Sequence, residues 1–268
     1  MLTQTLFRRF RDVAFDHAGI SLKDGKETLV EARIAKRLTV LGLPDAEAYA
    51  DLLEGNPGDE LVNFLDVIST NFTSFFREPD HFELLTEEAK LWLEQGRERV
   101  RVWCAASSTG EEPYTIVMTL HQVLGDEVDW RLLATDISTR VLDSAREGLF
   151  EEERFATMSA HLRNKYFSRI HVKGKRDTWQ IQAKHRERVS FGRLNLSTPP
   201  YPLTGPLDAV FCRNVMIYFD APMRQTVISQ TERLLRPGGL LFIGHAETLN
   251  GVKTRLQFVR PSVFRMPT

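Results

Sequence analysis

From Arg99 onward the chain keeps one rhythm. An apolar run at Val100 to Ala105 gives way to helical spacing from Glu111 to Leu124, then to a second apolar run at Trp130 to Thr135, then to helical spacing from Ser138 to about Gly148. No other feature narrows the fold as far. Strands that alternate with helices pair in parallel through right-handed crossovers, so an α/β sheet with helices on its faces is expected. Two later runs, Asp208 to Cys212 and Leu240 to Ile243, extend that sheet, with a helix between them expected to end at Arg236-Pro-Gly-Gly239. An apolar pair around Leu256 to Val259 and Ser262 to Met266 is expected to close it antiparallel.

Ahead of this region, residues 1 to about 75 read as helices, and no strand is expected before residue 100. Val30, Ile34, Leu38 and Leu41 recur at helical spacing while Arg33, Lys36 and Arg37 cluster off that stripe, which describes an amphipathic helix with a basic face. Gly42-Leu-Pro44 stops it, a helix follows through Leu53, and Gly55-Asn-Pro-Gly58 turns the chain into a further helix from Asp59 to about Thr70. Within the α/β region a helix is expected near Ser159 to Phe167, and alternation around Lys173-Gly-Lys-Arg-Asp177 predicts an inserted antiparallel β unit over about 168–190. Residues 168 to 188 hold seven Lys and Arg against two Asp and Glu. The expected division is a helical domain over 1–75 and an α/β domain with its β insert over 76–268.

Composition excludes several classes. Net charge is −1 from 35 basic and 36 acidic residues, so no global field steers the chain to nucleic acid or to an anionic membrane. The first ten residues alternate apolar and polar, and no apolar segment approaches the ~18 residues of a membrane span, so a cytoplasmic protein with no membrane insertion is expected. Cys104 and Cys212 sit inside apolar runs and read as buried thiols. The seven histidines form no His-Glu-x-x-His pattern and pair with no cysteine at ligand spacing, so no metal site is expected.

Chemistry concentrates at Ser107-Ser-Thr-Gly-Glu-Glu-Pro113, between the first strand and its helix. A dinucleotide site would place Gly-x-Gly-x-x-Gly there, because a pyrophosphate needs bare backbone and the positive helix end. Here there is one glycine, Gly110, and two acids that would repel phosphate while suiting the first helical turn. S-adenosylmethionine fits better, since it carries a sulfonium, an ammonium and a ribose that seeks hydrogen-bond acceptors, and no phosphate. Asp136 ends the next strand, where Rossmann-like sites accept from ribose hydroxyls; it would equally serve as a helix N-cap. Arg213-Asn214 after the strand at 208–212, and Asn195 after Phe191-Gly-Arg-Leu194, come to the same carboxyl edge, although Asn195 also suits a loop residue bonding its own backbone.

Taken in order, Thr70-Asn-Phe-Thr-Ser-Phe-Phe-Arg-Glu78, Ser107-Ser-Thr-Gly-Glu-Glu-Pro-Tyr114, Ala134-Thr-Asp-Ile137 and Phe211-Cys-Arg-Asn-Val-Met-Ile-Tyr-Phe-Asp220 resemble the chemotaxis receptor methyltransferases, the CheR family, as does Leu235-Arg-Pro-Gly-Gly-Leu-Leu-Phe-Ile-Gly-His-Ala-Glu247. The likeness runs from about residue 5 to 265. It implies a Rossmann-like S-adenosylmethionine-dependent methyltransferase sheet with an N-terminal helical domain and an inserted small antiparallel β subdomain. It also implies methyl transfer to glutamate side chains of chemoreceptors, the methyl-accepting chemotaxis proteins, with S-adenosylhomocysteine as product. Carried over by motif position, Asn71, Thr73, Arg77, Glu112, Asp136, Asn195, Leu196, Asn214 and Val215 would surround the cofactor. Which of Glu111 and Glu112 makes the contact depends on how the pair is aligned, and the resemblance favours Glu112.

A glutamate carboxylate, pKa about 4.3, is ionised at neutral pH and attacks a methyl without a general base, which agrees with the lack of a catalytic dyad. Orientation and water exclusion should supply the rate. Arg77 suits a bidentate grip on the substrate carboxylate or the cofactor's own, the alternative being an ion pair with Glu78 or Asp80. Tyr218 would donate to the substrate carboxylate or pack beneath the sheet edge. The resemblance further implies that the Arg33, Lys36 and Arg37 face docks on the acidic methylation region of the receptor. Some members grip a receptor-tail pentapeptide through the β insert; the basic loop Ile170 to Asp177, with Gly174 its single glycine, departs from that pattern, so a pentapeptide-independent enzyme is expected. A methyltransferase for another acceptor and a non-catalytic S-adenosylmethionine-binding module are the competing readings.

Overall fold

The computed structural model describes residues 2–68, 73–172, 174 and 177–268. The chain opens with α1 (Gln4–Ala18), α2 (Glu27–Leu41), α3 (Ala46–Glu54) and α4 (Glu60–Ile68). Thr3 caps α1 by accepting from the Leu6 amide, and Asp45 caps α3 by accepting from Ala48. The buried stripes of these helices meet in one apolar core built round Phe10, Tyr49 and Phe64, whose ring centroids lie 5.8–6.1 Å apart. Glu60 is also buried here, held by both arms of Arg37 (2.8 and 2.6 Å) and by the Tyr49 hydroxyl (2.7 Å).

Next comes α5 (Asp80–Glu94), to which the sequence reading assigned no element. Its buried face includes His81 and Glu88 among Leu84, Leu85, Ala89 and Trp92, so two polar residues interrupt the apolar stripe. Then follow β1 (Arg99–Cys104), α6 (Glu111–Leu124), β2 (Asp129–Asp136), α7 (Thr139–Glu147), β3 (Leu149–Glu151), α8 (Ala160–Tyr166), β4 (Phe167–Ile170), β5 (Thr178–Ile181), α9 (Ala183–Arg186) and β6 (Val189–Arg193). The chain ends with β7 (Leu207–Cys212), α10 (Ala221–Leu234), β8 (Leu235–Ile243), β9 (Gln257–Arg260) and β10 (Val263–Arg265).

Seven strands form the main sheet in the order β6-β2-β1-β7-β8-β10-β9. The first five are parallel, and β10 and β9 close the edge antiparallel. The chain moves from β1 outward through β2 to β6, then returns to place β7 on the other side of β1. Such a reversal leaves a crevice at the carboxyl ends of the central strands, where ligands bind in open α/β sheets.

Two details differ from the sequence expectation. Helix α10 stops at Leu234, and Arg236-Pro-Gly-Gly239 lies inside β8 instead of ending the helix. Leu207 pairs with Leu235 and Ala209 with Leu240, so the Pro-Gly-Gly segment bulges out of the ladder while β7 advances two residues. The small antiparallel sheet, ordered β3-β5-β4, begins at Leu149, well before 168, and its last strand ends at Ile181. β3 is three residues long, too short to leave an alternation in the sequence. Phe150, Phe155 and Phe167 of this unit surround Phe75 at centroid distances of 4.9–5.5 Å, so the subdomain core grips the segment leading to Arg77.

Candidate active site

The β1–α6 turn is shaped by Gly110. Its φ is +102°, and a Cβ there would stand 3.1 Å from the Cβ of Ala145 and 3.2 Å from the Tyr114 ring, so one glycine serves both the turn and the packing of α6 on α7. Glu111 and Glu112 then point to different places. Glu111 is fully buried, accepts from the Thr109 hydroxyl at 2.6 Å and lies 3.5 Å from Arg154, and burial pushes its carboxyl above the usual range. Glu112 lines a cleft of about 500 Å³ that spans the carboxyl ends of β1, β2, β6 and β7 and is roofed by Ala18 and Ile20 of the helical domain. A cleft of that size suits a nucleoside-sized ligand.

Asp136 ends β2 inside this cleft. Its Oδ2 accepts from the Ser108 amide (2.9 Å) and its Oδ1 from the Ser138 amide (3.1 Å), so the carboxylate fixes two turns at once. The cap of α7 is Ser138, whose hydroxyl accepts from Val141. That removes the N-cap reading of Asp136. Asn195 donates to the His17 carbonyl (2.7 Å) and accepts from the Ser197 amide and hydroxyl, which pins the end of α1 to the sheet edge. Both readings of Asn195 therefore hold, since it bonds its own loop and faces the cleft.

The floor is organised by Arg213, a residue fully buried at the end of β7. Its guanidinium donates to Glu112 (2.6 Å), to Glu78 (2.9 Å) and to the Arg77 carbonyl, and lies 5.4 Å over the Phe82 ring. Burial acts to lower its basicity, but the two carboxylates outweigh that and hold it charged. Burial pushes Glu112 up while Arg213 opposes. Burial also works to raise Glu78, yet Arg213 and Asn214 hold it below the ordinary carboxylate range. The Asn214 side chain donates to Glu78 at 3.2 Å, and its backbone amide donates to Glu247, which also collects the amides of Gly244 and Ile217. A Cβ on Gly244 would sit 2.3 Å from the side-chain Nδ2 of Asn214 and 2.9 Å from its backbone nitrogen, so only glycine admits this contact.

Backbone strain gathers at the same place. Of six non-glycine residues with positive φ among those described, four, Phe76, Glu78, Ser108 and Asn214, lie in the three segments around the cleft. Strained backbone persists where the surroundings over-determine it, which is the habit of functional sites.

Thr73, Arg77, Glu112, Asp136, Asn195, Leu196, Asn214, Val215 and Tyr218 all line the cleft, so the structure brings the expected residues together. Asn71 lies outside the described residues. The acids beside Arg77 in sequence are engaged elsewhere, Glu78 with Arg213 and Asp80 with His245, which disfavours its ion-pair reading. Of the basic helix, Lys36 is exposed, Arg37 turns inward to Glu60 and Arg33 donates to the Ile68 carbonyl at 2.7 Å.

The family described as the CheR methyltransferase SAM-binding domain matches residues 71–264, and the all-alpha CheR methyltransferase domain matches residues 5–69. The chain belongs to the CheR methyltransferase family. A relative named chemotaxis protein methyltransferase, from Escherichia coli, is 38% identical over 267 residues, covering 99% of this chain and 92% of the relative. Chemotaxis protein methyltransferase 2 of Pseudomonas aeruginosa is 39% identical over 246 residues (91% and 87%), and the chemotaxis protein methyltransferase of Borreliella burgdorferi is 34% identical over 273 residues (98% and 95%). S-adenosylmethionine is accordingly the methyl donor of this CheR-family enzyme. The acceptor-rich, phosphate-averse cleft fits it.

Sequence reasoning missed Arg213, Glu78 and Glu247 as the frame of the site. One signal was available, because an arginine directly after the wholly apolar run Ala209 to Cys212 must be paired if it is buried.

Proposed function

We propose that this protein methylates glutamate side chains on the cytoplasmic helices of chemoreceptors, forming glutamyl methyl esters that adjust receptor signalling. The observation that carries the reading is the cleft itself, where the carboxylates Glu112 and Asp136 line a space that would suit a cationic donor and Arg77 and Tyr218 border the same space. Glu112 and Asp136 would hold the ribose and the charged portion, Leu196 and Val215 the apolar faces, and Asn71, Thr73, Asn195 and Asn214 the remaining polar edges. The bound donor supplies an electrophilic methyl on a sulfonium. Arg77 and Tyr218 would orient the incoming carboxylate toward that methyl, so that a carboxylate oxygen would take the methyl group and S-adenosylhomocysteine would be the leaving product. No proton moves, because the acceptor is already ionised.

Docking is assigned to the basic helix, with Lys36 carrying more of it than Arg33 or Arg37, which are committed to contacts inside the helical domain. Residues 1–75 thus form the docking domain and 76–268 the catalytic one. No helix among the described residues is long and apolar enough to cross a membrane, in keeping with action from the cytoplasm on the inner portion of receptors. The reading includes independence of a receptor-tail pentapeptide. The test is transfer of radiolabelled methyl from S-adenosylmethionine to receptor-enriched membranes, scored as base-labile ester. Arg77→Ala and Tyr218→Phe should lower turnover without unfolding the protein. Transfer at parental rates in both variants would remove these roles, and donor binding without transfer by the unmodified protein would make it a non-catalytic module. Titration with tail peptides tests the pentapeptide claim, which heat of binding would overturn.

A further inference from the structure

Behind the Arg213 floor lies a cluster whose two histidines the methyl-transfer reading does not use. Glu78, His81 and His245 place one donor atom each within 4.8 Å of one another. Glu78 lies just before α5 and His81 in its first turn, three residues apart, and His245 comes from the turn after β8, so the spacing of His81 and His245 along the chain gave no hint of a site. His81 is fully buried, and neither of its ring nitrogens has a hydrogen-bond partner among the described residues. Its Nδ1 lies 3.6 Å from a Glu78 oxygen, and its ring meets that of His245 edge-on at 5.0 Å. A wholly buried imidazole with both nitrogens unpartnered is costly, and one lodged between a carboxylate and a second imidazole has the donors of a metal ligand.

We propose that Glu78, His81 and His245 form a site for a borderline divalent cation of the zinc class, and that filling it weakens binding of the methyl donor. Two imidazoles and one carboxylate are a common zinc set that leaves a position open, and imidazole donors favour zinc, cobalt or nickel over magnesium or calcium. Metal–ligand bonds of about 2.0–2.1 Å put tetrahedral ligands roughly 3.4 Å apart, so no pair within the 4.8 Å cluster need draw in by more than about 1.4 Å. His245 can supply that movement, since its side chain is 46% exposed. Its Nε2 is already bonded to Asp80 at 3.1 Å, the outer-shell carboxylate that commonly orients a metal-bound histidine, which leaves Nδ1 for the cation.

The coupling follows from Glu78. The same carboxylate binds Arg213 and Asn214, and Arg213 in turn holds Glu112 in the donor cleft. A cation on Glu78 competes with the guanidinium, which faces it with like charge, and loosens the floor on which Glu112 and Asn214 are set. This second half rests on the cleft being the donor site, whereas the first half stands without it.

The experiment uses the full chain, stripped with chelator and desalted. Zinc chloride is titrated by calorimetry without donor, cobalt chloride is followed by its visible ligand-field bands, and S-adenosylmethionine is then titrated with and without zinc. The expected results are one zinc per chain, its loss in His245→Ala, and a donor Kd raised by about tenfold by zinc in the parent only, a typical coupling between sites. The His245 side chain does not line the cleft and its backbone bond to Glu78 survives in His245→Ala, so methyl transfer without metal should match the parent. His81→Ala is a second ligand test if it folds. No stoichiometric zinc in the parent, or equal uptake by His245→Ala, overturns the site; zinc bound with the donor Kd unchanged overturns the coupling.

Discussion

Arg213→Met gives the sharpest test of how the donor cleft is held open. The substitution keeps the apolar contact with Phe82 and removes the guanidinium that pairs with both Glu78 and Glu112. Breaking a buried ion pair by deleting one partner costs about 3–5 kcal/mol, because the other charge is left uncompensated. In a protein of this size that corresponds to a fall in Tm of about 6–20 °C. The second consequence is chemical. Burial already raises Glu112, and Glu78 repels it, so without the guanidinium its carboxyl climbs further. A neutral carboxyl holds a cation poorly, so the donor affinity of the variant should depend more on pH than that of the parent, weakening as pH falls and Glu112 takes up its proton. Calorimetric titration with S-adenosylmethionine at several pH values, beside thermal melts, reads both effects. Arg213→Lys restores the charge but reaches one carboxylate instead of two, and should lose about 1.5–3 kcal/mol, one charge-assisted bond. A methionine variant that melts with the parent and shows the same pH profile would refute the assigned role of Arg213.

Glu112→Gln should weaken donor binding by about 1.5–3 kcal/mol, or roughly 10- to 150-fold, the difference between charged and neutral acceptors over one or two bonds. Glu111→Gln, whose side chain lies outside the cleft and is raised by burial, should bind donor as the parent does; reversed results would mean that the pair had been aligned wrongly. His81 and His185 are held down to about 4, chiefly by burial, with Arg213 adding to the first and His121 to the second. Between about 6.5 and 4 the unfolded chain takes up protons that the folded chain refuses, so each histidine removes up to about 1.4 kcal/mol per pH unit as pH falls through that window. Buried carboxyls that are raised work the other way, so the readout is the difference between parent and His185→Phe in urea unfolding from pH 7.5 to 5; parallel curves would sink the claim. Lys36→Glu should slow methylation and flatten its salt dependence without loss of stability, whereas Arg37→Ala should destabilise the helical domain by about 1–3 kcal/mol by stranding Glu60. Unchanged kinetics in the Lys36 variant would exclude it from docking.

Local chemistry made most of the fold legible. Helix α6 begins and ends where its acids, Pro113 and Gly125 place it, and β1, β2 and β7 follow their apolar runs to within a residue. What stayed hidden depends on partners far away in sequence. Helix α5 carries His81 and Glu88 on its buried face, and neither makes sense until Glu78 and Arg265 are seen beside them. At the bulge in β8, Asp208 of β7 accepts from Arg236 at 2.6 Å, a partner distant in sequence, and the strand starts earlier than Pro237 suggests. The site divides in the same way. Glu112 and Asp136 could be picked out as cleft-lining because a turn and a strand end announce themselves over a few residues. Arg213, Glu78 and Glu247 come from three segments that meet only when the sheet closes, and their work is to hold the visible residues in place. Their charges nevertheless leave a trace in the sequence, since an arginine that ends a fully apolar strand needs an acid to pair with. That acid, Glu78, adjoins Arg77 at the end of the Asn71 to Arg77 string, so the family motif had contained half of the frame without its role being visible.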